Sequence, residues 1–72
     1  MTLENDIRIS LKAARVNAKL NQKEAAKRLG VCVATLQNYE SGNSIPGWDI
    51  VRKIETVYGI SADHIFFESN SA

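Results

Sequence analysis

Residues 21–42 read Asn-Gln-Lys-Glu-Ala-Ala-Lys-Arg-Leu-Gly-Val-Cys-Val-Ala-Thr-Leu-Gln-Asn-Tyr-Glu-Ser-Gly, and no other stretch constrains the fold as tightly. The pattern predicts two short helices joined by a tight turn. Asn21 suits an N-cap, and Glu24 follows where its carboxylate can reach back to the Asn21 amide. Ala25, Ala26 and Leu29 then share one face at helical spacing. Gly30 comes next, suited to the left-handed residue that ends a helix. Val31 tucks under the turn. Cys32 starts a second helix, whose apolar Leu36 and Tyr39 precede a closing Gly42. Two helices of about eight residues are not stable alone. They need each other and a third element.

The rest of the chain supplies it. A helix over residues 2–19 is expected, with Thr2 as cap and Glu4 and Asp6 at the positive end of its dipole. Its apolar stripe is Ile7, Leu11, Ala14 and Ala18. Arg8, Lys12, Arg15 and Lys19 lie on its other face, and Arg8 and Lys12 read as solvated. After Gly42, Asn43-Ser44-Ile45-Pro46-Gly47 is a loop with strong turn chemistry. A fourth helix starts near Trp48, with Asp49 in its first turn and Ile50, Ile54 and Val57 inward, and ends at Gly59. Ser61 caps a short fifth helix, on which His64 faces outward. Ile65 and one of Phe66 or Phe67 close the core. The expected architecture is all-α, five helices and no strands over residues 1–67, with a frayed polar tail at 68–72.

Length and composition narrow the function. Seventy-two residues make one small domain. Such a chain buries only about 60% of its unfolded surface, so pairing with a second copy would help it. No apolar run approaches the ~20 residues that span a membrane. The N-terminus lacks a secretory signal, so a cytoplasmic protein is expected. One cysteine and one histidine give neither a disulfide framework nor a metal-ligand cluster, and no cofactor is expected. No nucleophile–base pair or phosphate-binding loop can be assembled, which argues against an enzyme. Nine Lys and Arg against eight Asp and Glu leave a net charge of +1. Any nucleic-acid binding must rest on local patches.

The central stretch resembles the helix-turn-helix of the phage repressor and Cro-like family, the lambda repressor-like DNA-binding domain. Gln22 opening the first helix, small Ala26 at the helix crossing and Gly30 in the turn carry the likeness. Leu36 and Tyr39 match the core positions of the second helix, and Glu40-Ser41-Gly42 matches the closing Glu-x-Gly. With its flanking helices the resemblance covers roughly residues 7–67. It implies a compact five-helix domain whose motif is formed by the second and third helices, the third lying in the DNA major groove.

By the same resemblance, Asn21 and Gln22 occupy phosphate-contacting positions at a helix N-terminus, where unpaired N–H groups and the dipole favour an anion. Lys23 adds a cation, Lys19 stands nearby, and Asn43 and Ser44 bring small polar groups from the loop. Capping alone is the other role open to Asn21. The base-reading positions fall on Val33, Ala34 and Asn38, with Gln37 beside them. Val33 and Ala34 depart from the polar residues more familiar there. They can pack against a thymine methyl, while Asn38 or Gln37 can bond bidentately to adenine, which implies an A·T-rich half-site. The loop lacks the Lys or Arg often found there, so binding should depend less on salt.

The resemblance further implies that Arg15 pairs with Glu40. Independently, a carboxylate in the last turn of a helix opposes the dipole unless a cation holds it. Both residues standing exposed is the other reading. Trp48 either caps the core or joins Ile45 and Phe67 in a dimer contact, the region through which the family dimerises. Cys32, where Ser or Thr is more usual, reads as a tolerated substitution rather than a redox sensor. The expected function is a transcriptional regulator of phage or prophage type, a repressor holding double-stranded DNA as a homodimer. A change of state is expected to come from concentration, proteolysis or a protein partner controlling its activity. The rival is a protein-interaction module, an antitoxin or adaptor, whose Val33–Ala34 surface meets protein.

Overall fold

The computed structural model describes residues 8–67. The expectations placed on Thr2, Glu4, Asp6, Ile7 and the 68–72 tail lie outside that range. In chain order the elements are β1 (Ile9–Ser10), α1 (Leu11–Asn17), α2 (Gln22–Leu29), α3 (Val33–Ser41), α4 (Trp48–Tyr58), a 3-10 turn (Ala62–His64) and β2 (Ile65–Phe66).

Ser10 caps α1: its backbone is extended, and its hydroxyl accepts the Ala13 N–H at 3.0 Å. Leu11 and Ala14 point into the core. The helix stops two residues before Lys19, because Lys19 adopts a left-handed conformation at φ 63°. The Ala18 N–H is shared between the Ala14 and Arg15 carbonyls, 3.1 Å from each, and the Leu20 N–H turns back to Arg15. This bend returns Leu20 to the core.

On α4 the buried residues are Val51, Ile54 and Tyr58. Ile50 and Val57 are only partly buried, so the inward face is rotated from the Ile50–Ile54–Val57 stripe and shares Ile54 with it. Leu29, Leu36 and Ile54, one each from α2, α3 and α4, are the largest fully buried side chains. Truncating any of them should cost ~2–5 kcal/mol. Ala25 and Ala26, also buried, let α2 pack closely against its neighbours.

The expected fifth helix is a single 3-10 turn, so the described residues hold four α-helices rather than five. Ser61 caps it, accepting the Asp63 N–H at 3.2 Å, and the Ala62 N–H donates to the Glu55 carboxylate at 2.8 Å. Three residues are too few for an α-helix. The chain then runs extended, and β2 pairs in parallel with β1, Ile9 beside Ile65 and Ser10 beside Phe66. This small ladder corrects the expectation of no strands: backbone groups leaving the turn still need partners, and β1 offers them. Ile65 is buried, Phe67 is partly buried against the core and Phe66 is exposed. Among the described residues no helix is long and apolar enough to cross a membrane.

Candidate nucleic-acid interface

α2 begins with a reciprocal cap. Asn21 Oδ1 accepts the Glu24 N–H at 2.7 Å, and Glu24 Oε1 accepts the Asn21 N–H at 3.1 Å. This holds Asn21 exposed at the helix start, with Lys23 exposed beside it and Gln22 half-buried. By helix geometry the Gln22 and Lys23 N–H groups have no partner within the helix. Gly30, at φ 77°, ends α2, and the Val31 N–H reaches back to Ala26 at 3.0 Å.

Cys32 is the extended residue before α3, and its side chain makes no cap to the backbone. Its exposed thiol lies 3.1 Å from the Thr35 hydroxyl. That hydrogen bond is the largest of the influences that lower its pKa. α3 is anchored by Leu36, while Ala34, Gln37, Asn38 and Ser41 are exposed at the i, i+3, i+4, i+7 spacing of a single face. Val33 at the helix start is half-buried and packs partly against the core. The Asn38 carbonyl accepts N–H groups from Asn43 at 2.9 Å and Ser44 at 3.3 Å, closing the helix onto its following loop.

Three helices meet at one carboxylate. Arg15 Nε donates to Glu40 Oε2 at 2.6 Å, and Nη2 to Oε1 at 3.3 Å. Arg15 Nη1 donates to the Leu20 carbonyl at 2.9 Å. Gln22 Nε2 donates to the same Glu40 Oε1 at 3.1 Å, and Gln22 Oε1 accepts from Gln37 Nε2 at 3.3 Å. Both ends of the Gln22 carboxamide are therefore engaged within the protein. Spacing along the chain carries no signal for this link, because it depends on how α2 and α3 cross. The Tyr58 hydroxyl is buried without a hydrogen-bond partner among the described residues. Burial first, and the nearby Glu40 charge second, push its pKa up to about 12, against a smaller lowering by Arg15.

Lys19, Asn43 and Ser44 are exposed at the ends of α1 and α3. Ile45 and Trp48 are exposed too, Trp48 at 73%, so the tryptophan does not cap the core. Among the described residues, no group of three or more His, Cys, Asp or Glu side chains could hold a metal ion.

The sequence pattern described as helix-turn-helix matches residues 11–65. HTH-type transcriptional regulator ImmR of Bacillus subtilis (strain 168) is 38% identical over 55 residues, 76% of this chain and 43% of that protein. Multiprotein-bridging factor 1c of Arabidopsis thaliana is 29% identical over 55 residues, 76% of this chain and 37% of that protein. The chain thus spans about two-fifths of the length of these curated relatives. No solved structure matches it.

Proposed function

Because the chain belongs to the Cro/C1-type helix-turn-helix family, we propose that it is a cytoplasmic transcriptional repressor. It holds an operator as a homodimer, one α3 in each of two successive major grooves. The outward face of α3 carries this reading. Ala34, Gln37 and Asn38 are exposed together, while buried Leu36 and the Arg15–Glu40 pair hold the helix behind them.

In this reading Ala34 and the exposed part of Val33 pack on thymine methyls, and Gln37 or Asn38 bonds to adenine. Phosphates are met at the start of α2 by the Asn21 side chain, the Gln22 N–H and Lys23, with Lys19, Asn43 and Ser44 flanking. Ile45 and Trp48 form the dimer contact. Phe67, packed partly on its own core, adds its remaining surface.

A second reading, a protein-interaction module such as an antitoxin or adaptor, draws on the same exposed apolar groups. Ala34 has no hydrogen-bonding side chain, and Ile45 and Trp48 present large apolar surface. Selection of bound sequences from random duplex DNA separates the two. Repression at an operator predicts a near-palindrome with half-sites ~34 Å apart and affinity that falls with rising salt. Enrichment of no sequence would overturn the DNA reading and leave the protein-binding one.

A further inference from the structure

We infer that Gln22 is a positioning residue that fixes which end of the Gln37 carboxamide meets DNA, making Gln37 the adenine-selective reader of this chain. The inference rests on the DNA-binding reading above. It follows from the polarity of a hydrogen-bond relay running from Arg15 through Glu40 and Gln22 to Gln37.

A carboxylate only accepts hydrogen bonds. Glu40, already held by Arg15, therefore requires the amide end of Gln22 beside it, and Gln22 Nε2 is the atom found there at 3.1 Å. The other end of the Gln22 carboxamide is an oxygen, which can only accept. It takes the Nε2 of Gln37 at 3.3 Å. Each link sets the next, and an uncoupled amide would turn over freely.

The relay leaves Gln37 with its Oε1 and its second amide N–H. One acceptor beside one donor is the pattern that the N6–H and N7 of adenine require in the major groove. Guanine presents two acceptors there. To meet both, Gln37 would have to turn its amide end outward and give up its bond to Gln22. Asn38, on the same exposed face, has no such tether among the described residues, and the Val33 and Ala34 side chains cannot discriminate by hydrogen bonding.

The test has a DNA-free arm and a DNA arm, using the wild type, Gln22→Met, Gln37→Met and the double variant. Gln22→Met leaves the Arg15–Glu40 pair intact and keeps a good helix former in α2. Without DNA, the Gln37 side-chain amide protons should exchange with solvent more slowly in the wild type than in Gln22→Met. With DNA, Gln22→Met should reduce the adenine-over-guanine preference at one base pair roughly tenfold. Gln37→Met should erase that preference, and adding Gln22→Met to it should change the preference no further. Wild-type Gln37 amide exchange as fast as in Gln22→Met overturns the inference whether or not DNA binds. A uniform loss at every sequence in Gln22→Met, with the preference intact, also overturns it and makes Gln22 a plain phosphate contact. Slow Gln37 exchange in a protein that binds no duplex would instead sink the DNA-binding reading, and this inference with it.

Discussion

Arg15 and Glu40, 2.6 Å apart, form an ion pair in which their side chains are 9% and 6% exposed. The pair joins the last turn of α1 to the last turn of α3, and its free guanidinium nitrogen ties down the Leu20 carbonyl. Desolvation of both charges is offset by these contacts only while both partners are present.

Removing one partner should therefore cost much more than removing both. Glu40→Ala is expected to lose about 3–5 kcal/mol, because it strands a buried guanidinium. The Arg15→Met, Glu40→Leu double variant should lose less. Urea melts of the wild type, the two singles and the double measure this. Near-wild-type melts for both Glu40→Ala and Arg15→Met would mean the pair contributes nothing.

Lys19 holds a left-handed backbone without being glycine. Such a conformation costs an L residue roughly 1–2 kcal/mol, part of which glycine returns through its freer unfolded state. Lys19→Gly should raise stability by about 0.5–1 kcal/mol. A lower denaturation midpoint in that variant would show that the lysine side chain contributes more than its backbone costs.

Tyr58 gives a pH signature. Its pKa is pushed up to about 12, whereas an unfolded tyrosine ionises near 10. Below pH ~10 both states hold the proton. Above it the unfolded chain ionises first, so stability should fall from there until native Tyr58 itself ionises. Tyr58→Phe should make this alkaline slope shallower. At neutral pH the same change should be neutral or stabilising by up to ~1 kcal/mol, since it deletes a buried hydroxyl that has no partner among the described residues. Melting temperatures of both proteins across the alkaline range test both points, and identical slopes would refute the first.

Trp48 separates assembly from folding. Because it is 73% exposed, Trp48→Ala should leave the urea midpoint of dilute protein unchanged within ~0.5 kcal/mol. It should reduce cooperativity on a two-half-site operator. Sedimentation on DNA would show whether two copies still bind, and wild-type cooperativity would remove Trp48 from the interface.

The readable parts of this fold were those with local causes. Asn21 with Glu24, and Gly30 and Gly42 with their neighbours, mark the ends of α2 and α3 through groups only a few residues apart. The inward face of α4 was ambiguous for a physical reason. Ile50–Ile54–Val57 and Val51–Ile54–Tyr58 both satisfy helical spacing, and only the packing partners choose between them. The Lys19 bend has no glycine to announce it. The β1–β2 ladder involves two residues on each side, too short to show alternation, and it depends on contact between distant parts of the chain. The same holds at the candidate site. The exposed residues of α3 follow from periodicity, whereas the Gln22 link to Glu40 and Gln37 exists only once α2 and α3 have crossed.

The parallel sense of that ladder also gives the molecule a mechanical direction. Tension applied to the chain before Ile9 and after Phe66 pulls the two paired segments in opposite directions along their length. Their slanted hydrogen bonds are then loaded together in shear, rather than peeled open one by one. A stretched molecule should hold at this seam and yield abruptly, whereas a pull applied across the seam, perpendicular to the strands, should open it at lower force.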